Sequence, residues 1–428
     1  MATIARLIGG AGTGKTTELM RLLDAVVTEG VDPLQVGFVS FTRAARREAA
    51  SRAAARLGGS ADQLEGDGWF RTLHSVAYRC LGERSDNLIA DDKAGRAWTE
   101  EALQQSVGTP IGPLIAEDSD PDFESSTDAG VSLSLWQAAR NRLEPLRAAW
   151  ERSERCSDRT PPYDVVAGIV NAYEQAKRLG DRYDFADLIG RFAGYKFHTD
   201  GPEKIAPEGE TPNLPVWFFD EQQDTSRLLD AVCHRLIERS SWVYVVGDPF
   251  QAIYEFSGAD HRLFRAWPAV KERIMPKSYR CPPEVHALGE SILREASDYW
   301  DRGIAPADHD GSVDFERYGP ALLETIDPRE SWLLLARTNY HAGRIAARIR
   351  ELGLPWRPTR GHGGWDRPKA NKGLSALLEL AEGKLICGDD WSAVLDLLPS
   401  RSGGETLLVR GTKSDWDDNG KSRRMELR

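Results

Sequence analysis

Residues Gly9 to Thr16 read Gly-Gly-Ala-Gly-Thr-Gly-Lys-Thr and directly follow the apolar run Ile4-Ala5-Arg6-Leu7-Ile8. This is the pattern G-x-x-x-x-G-K-S/T between a strand and a helix, which fixes a local fold and its ligand together. Gly9, Gly10, Gly12 and Gly14, with Ala11 and Thr13 between them, let backbone N–H groups close around phosphate oxygens. The loop opens a helix whose N-terminal dipole favours anions. Lys15 is placed to reach the β- and γ-phosphates and the Thr16 hydroxyl to ligate Mg²⁺. A ligand-free glycine-rich turn is the plainer reading, and the flanking strand and helix argue against it. The expected ligand is a nucleoside triphosphate.

The rest of the chain reads as α/β. Apolar, β-branched or aromatic runs at Ile4–Ile8, Val36–Phe41, Val216–Phe219, Trp242–Val246 and Trp332–Leu335 suit buried parallel strands. Stretches with helical spacing lie between them, at Ala44–Leu57, Leu228–Glu238 and His341–Leu352. Residues 84–180 carry almost no strand signal and read as a helical insertion. Residues 198–215 read as a polar Gly/Pro-rich linker, and periodicity weakens beyond about residue 357.

The 428 residues are 41% hydrophobic and 28% charged, a globular composition long enough for at least two cores. No apolar run approaches the length of a membrane span, so no membrane partner is expected. Five scattered cysteines without a C-x-x-C pair fit a reducing compartment, and the expected location is the cytoplasm. The net charge of −11 is unevenly spread. Residues 43–56 hold five arginines against Glu48, and 337–372 hold nine basic residues against Glu351 and Asp366. Such stripes are usually solvated faces and point to nucleic acid only with further support.

Two strand ends carry further chemistry. Val216–Phe219 leads into Asp220-Glu221-Gln222-Gln223-Asp224. An Asp-Glu pair after a strand commonly caps a helix, but beside a phosphate loop it suits metal holding by Asp220 and water activation by Glu221. The next strand ends in Gly247-Asp248-Pro249-Phe250-Gln251-Ala252-Ile253-Tyr254-Glu255-Phe256. Gln251 could sense a γ-phosphate there, and Tyr254 and Phe256 either stack on bases or pack in the core.

Taken in order, these segments resemble the UvrD/Rep-like superfamily 1 DNA helicases. Val39–Glu48 and Arg71-Thr72-Leu73-His74-Ser75 resemble the family's first two DNA-contacting motifs. Tyr183–Leu188 matches its Asp-Phe-x-Asp-Leu segment, and Ser278-Tyr279-Arg280-Cys281 its Asn-Tyr-Arg-Ser motif. Leu335–Asn339 matches the strand end that follows. The resemblance implies an α/β fold of tandem RecA-like P-loop NTPase motor domains, the second incomplete, with a helical insertion in the first. Residues 1–83 and 181–275 would form the first domain, 84–180 the insertion, 276–366 part of the second, and 367–428 a tail.

It also implies roles. ATP and Mg²⁺ are the expected cofactors, held by residues 9–17, including Thr17, with Thr16 and Asp220 on the metal. Glu221 would be the catalytic base, Gln251 the γ-phosphate sensor, Arg280 an arginine finger and Tyr279 a base-stacking residue. Phe41, Thr42, Thr72, His74, Tyr254 and Phe256 would contact single-stranded DNA, or DNA with single-stranded ends. Motion would run 3′ to 5′.

Departures from the pattern also carry expectations. The adenine-reading Gln usual before the loop has no counterpart, Thr17 stands where an Arg is common, and Ser257 where another Arg is usual. The tail from Gly361 holds neither a Thr-x-His-x-x-Lys-Gly segment nor an arginine-rich helix. A protein partner supplying those motifs is therefore expected, with an ATP-responsive single-strand-binding module as the alternative. A small-molecule P-loop kinase fits less well, having no use for the Gln-x-Ile-Tyr-x-Phe segment.

Overall fold

The computed structural model describes residues 2–40, 43–57, 60–82, 87–90, 93–107, 127–155 and 160–315, with shorter stretches beyond, chiefly 331–336 and 339–352. Two compact units, Met1–Asp314 and Phe315–Arg428, divide the chain.

The ten strands used below are β1 Thr3–Ile8, β2 Val36–Val39, β3 Trp69–Arg71, β4 Leu88–Ile89, β5 Tyr183–Asp184, β6 Tyr195–His198, β7 Gly201–Lys204, β8 Val216–Phe219, β9 Trp242–Gly247 and β10 Lys271–Ile274. Six of them form one parallel sheet in the order β10-β1-β9-β8-β2-β3. Every residue of β2 and β8 is buried, as strands covered on both faces require. On one face Phe70, Phe38 and Phe218 form a ladder across β3, β2 and β8, with ring centroids 5.2 and 6.2 Å apart. Helices Lys15–Thr28 and Arg43–Leu57 cover that face through Leu19, Met20, Leu23, Ala49, Ala50 and Ala53. On the other face Trp217 and Phe219 meet Leu188, Phe192, Val232 and Leu236 of helices Phe185–Ala193 and Arg227–Leu236. Because all six strands run the same way, their carboxyl ends share one edge, where ligands bind in open α/β sheets.

Residues 93–179 contribute helices Lys93–Val107, Asp128–Arg142, Leu146–Glu154 and Tyr163–Leu179, packed around Trp136, Leu103, Val166 and Val170. They return to the main sheet through Tyr183–Leu188. Asp184 and Asp187 form a reciprocal capping box at the start of helix Phe185–Ala193, each side chain accepting the other's backbone N–H. The same carboxylates take two buried cations. Arg140 reaches Asp184 at 2.8 Å, and Lys177 reaches Asp187 at 2.6 Å and Glu174 at 2.8 Å. The Tyr173 hydroxyl donates to Asp184 at 3.1 Å, and Trp136 Nε1 donates to Glu174 at 2.7 Å. Burial would raise the Asp184 carboxyl, but Arg140 and Lys177 outweigh it and hold it well below the usual range. Burial and the charge on Asp184 push Asp187 up to about 6.

Two expectations need correction. The stretch expected as a linker over 198–215 begins as a hairpin: β6 and β7 pair antiparallel with His198 opposite Gly201, joined by a two-residue turn. Gly201 takes a φ of 137° there, a left-handed value open to glycine. Trp332–Leu335, expected as a buried strand, is not one, and Leu333 and Leu335 are 68% and 81% exposed. An apolar run becomes a strand only where a neighbouring backbone takes its hydrogen bonds, and it has no ladder partner among the described residues.

Candidate functional site

The phosphate loop leaves β1 at the carboxyl edge of the sheet. Gly9 N–H donates to the carbonyl of Gly247 at 3.1 Å, tying the loop to the end of β9. Lys15 is buried and donates to the Gly9 carbonyl at 2.9 Å, so its ammonium lies folded across the loop. Thr13 braces the loop from inside through a 3.0 Å bond to the Gly10 carbonyl. Helix Lys15–Thr28 follows Gly14, which offers no side-chain cap, leaving the first-turn N–H groups to an anion. Thr16 sits half-buried in that turn, and Thr17 and Ala11 are exposed.

The Ser278–Cys281 segment closes over the loop. The Ser278 hydroxyl donates to the Ala11 carbonyl at 2.7 Å, and Tyr279 N–H donates to the Gly12 carbonyl at 2.8 Å. Gly12 has φ 71°, and a Cβ there would stand 2.3 Å from Arg280 Cβ, so only glycine fits this approach. The side chains of Tyr279 (71% exposed) and Arg280 are left in solvent beside the loop.

At the end of β8, Asp220 N–H donates to the Val39 carbonyl at 2.9 Å. Glu221 takes φ 52°, a left-handed conformation unusual outside glycine, which turns the chain sharply at the sheet edge. Gln223 Nε2 donates to Glu221 Oε2 at 2.9 Å, and its Oε1 accepts the Asp248 N–H at 3.0 Å. Asp248 Oδ2 in turn accepts from Gln251 Nε2 at 2.9 Å. A continuous hydrogen-bonded path thus joins Glu221 to Gln251. Asp224 lies alongside, pushed up to about 7 by burial and then by the Glu221 carboxylate.

Beyond Gln251 the chain exposes Ile253 (69%) and Phe256 (39%), with the Tyr254 and Phe256 rings 6.0 Å apart. Helix Asp128–Arg142 supports this turn from behind. Asn141 Nδ2 donates to the Ser257 carbonyl at 2.7 Å, and Arg142 donates to the Glu255 carbonyl.

The structure therefore gathers Gly9–Thr17, Asp220, Glu221, Gln251, Tyr279 and Arg280 around one sheet edge. Thr72 caps helix Leu73–Leu81, its hydroxyl accepting the Ser75 N–H at 3.3 Å. His74 meets the Phe185 ring edge-on at 5.7 Å. Phe41 and Thr42 lie outside the described residues. Sequence reasoning missed Gln223 and Asp248 as the links between Glu221 and Gln251. Both stand at strand ends beside the motif residues, where their polar side chains were the available signal.

A sheet in which one strand separates the phosphate-loop strand from the Asp-Glu strand defines a RecA-like nucleotide-binding domain. Residues 2–268 match the family described as the UvrD/REP helicase N-terminal domain, and the chain belongs to that family. It is similar to the ATP-dependent DNA helicase PcrA of Bacillus subtilis (strain 168), at 27% identity over 427 residues, covering 94% of this chain and 54% of that protein. It is also similar to the ATP-dependent DNA helicase UvrD2 of Mycobacterium tuberculosis (strain ATCC 25618 / H37Rv), at 25% identity over 410 residues, covering 88% and 56%. The chain spans about half the length of these curated relatives. Among the described residues, no helix is long and apolar enough to cross a membrane.

Proposed function

We propose that this chain is an ATP-driven DNA motor that binds Mg²⁺-ATP at the sheet edge and moves 3′ to 5′ along single-stranded DNA. The observation that carries the reading is the hydrogen-bonded path from Glu221 through Gln223 and Asp248 to Gln251. A water-activating carboxylate is thereby linked to the turn bearing Tyr254 and Phe256.

The donor set fits the cation. The Thr16 hydroxyl and Asp220 carboxylate are hard oxygens of the kind that hold Mg²⁺ together with substrate phosphates. When bound, the metal neutralises charge on the β- and γ-phosphates. Lys15 and the first-turn N–H groups hold the triphosphate, and Glu221 orients and deprotonates the attacking water. Gln251 reports the γ-phosphate to the DNA-facing turn. Arg280 adds a positive charge at the transferred phosphoryl group, and Tyr279 offers its ring to the base. Tyr254 and Phe256, with Phe41, stack on bases, which suits a motor that must accept any sequence. Thr42, Thr72 and His74 lie along the DNA backbone in this reading.

In this reading the Arg280 guanidinium acts as an arginine finger, a contribution worth roughly 10³–10⁵ in rate, and a partner polypeptide bearing a further arginine would raise turnover. The test is phosphate release from Mg²⁺-ATP with and without an oligo-dT strand. Release that rises with the strand supports the motor. Tight binding of both ligands without hydrolysis supports the single-strand-binding alternative, and absence of nucleotide binding rejects both.

A further inference from the structure

Arg302 belongs to no motif, yet it is buried directly behind the phosphate loop. Its Nη1 lies 2.7 and 2.8 Å from the two carboxylate oxygens of Asp248, and its Nη2 donates to Glu290 Oε1 at 2.7 Å. Arg302 is 7% exposed and Asp248 1%. The guanidinium also sits over the Phe250 ring, 4.8 Å from its centroid. Gly10 packs against this pair. A Cβ there would lie 3.0 Å from Ile304 Cδ1, 3.6 Å from Arg302 Nη1 and 3.8 Å from Asp248 Oδ2.

The ribbon that carries Arg302 also carries the lid of the loop. Ala305 N–H donates to the Pro276 carbonyl, Ser278 N–H to the Ala305 carbonyl, and Ala307 N–H to the Cys281 carbonyl, each at 2.8 Å. Residues 302–307 therefore brace Ser278–Cys281 against Ala11 and Gly12. On its other side, Asp248 takes the Gln251 amide and gives its N–H to Gln223. One ion pair thus joins the lid over the phosphate loop to the residue that leads into Tyr254 and Phe256.

We propose that Arg302 is a positioning residue that couples nucleotide occupancy to single-strand binding, an inference resting on the motor reading above. Any shift of Ser278–Cys281 as a triphosphate enters is carried along the ribbon to Arg302. From there it passes through Asp248 to Gln251. Lysine cannot replace it, because one ammonium does not present the planar fork that reaches Asp248 and Glu290 together. Deleting the polar head outright would strand a buried carboxylate, whereas glutamine keeps an N–H donor for it while removing the charged fork.

The experiment compares wild type, Arg302→Lys and Arg302→Gln, which leave Asp248 and its bonds to Phe250 and Gln251 in place. A fluorescent ATP analogue with Mg²⁺ is titrated with and without a saturating dT oligonucleotide, and thermal melts are run in parallel. Both variants should melt cooperatively and lose less than about threefold in nucleotide affinity without DNA. The change in that affinity caused by the oligonucleotide, of the order of 5–150-fold for coupled sites, should fall to near unity in both. Retained coupling in either variant overturns the proposal. So does loss of coupling only together with nucleotide affinity, or loss of the cooperative melt in both, which would make Arg302 a packing residue. A wild type that binds the analogue without coupling overturns this inference alone, and one that does not bind it overturns the motor reading.

Discussion

Two charged regions of the first compact unit are built in opposite ways. In the cluster of Arg140, Lys177, Glu174, Asp184 and Asp187, cations and carboxylates are folded onto one another, with Arg140, Lys177 and Asp184 shut away from water. At the phosphate loop, Lys15 holds to a neutral carbonyl, and helix Lys15–Thr28 begins without a side-chain cap. The first region spends its charges on joining the helices of residues 93–179 to the sheet. The second keeps donors in reserve for an anion. Both contain segments matched to helicase motifs, so a motif residue need not touch a ligand: Asp184 and Asp187 serve by holding two parts of the fold together.

The contrast breaks most visibly at Lys177. Removing one partner of a buried charged cluster typically costs about 3–5 kcal/mol. Lys177→Met should therefore lower stability by that amount in urea unfolding, while the nucleotide affinity of the protein still folded stays near wild type. A loss under about 1 kcal/mol would mean that the cluster is not what secures the join. Lys15→Ala should do the reverse. Nucleotide affinity should fall about a hundredfold, equivalent to about 3 kcal/mol, with unfolding little changed. An affinity within threefold of wild type would remove Lys15 from the binding role.

How much of this was legible in sequence depended on whether a segment carries its own reason to fold. β1, β8 and β9 were readable because their apolar runs are buried on both faces. β10 was not, since Lys271-Glu272-Arg273-Ile274 is a charged, exposed edge strand defined only by its pairing with β1. β3 was missed because three residues carry no period. The hairpin of β6 and β7 was hidden by Gly201 and Pro202, which read as breakers. At the candidate site, Lys15, Glu221 and Gln251 were singled out by motif. Arg302 could not be found, because it reaches Asp248 only through a fold that brings together residues 54 apart.

The exposed side of the comparison sharpens at Tyr254 and Phe256. Replacing either by Ala should weaken oligo-dT binding by about 1–3 kcal/mol, as base–aromatic stacking does, in a salt-dependent titration. Unchanged affinity in both would make them packing residues. The smallest effect concerns pH. Asp224 is raised from 3.8 to about 7, chiefly by burial and next by Glu221. A carboxyl raised on folding contributes stability that is complete below its unfolded value and is lost as pH rises through about 7. Thermal melts between pH 4 and 8 should therefore show a decline that Asp224→Asn flattens. A steeper decline in the variant would contradict the assignment.

The most direct test of the account compares wild type and Glu221→Gln in two readouts on the same preparation: Mg²⁺-ATP binding, and phosphate release with and without single-stranded DNA. If Glu221 activates water at a nucleotide site built by the phosphate loop, the variant binds ATP as wild type does. Its DNA-dependent release then falls to background. Equal loss of binding and release in the variant, or undiminished release, would contradict the account.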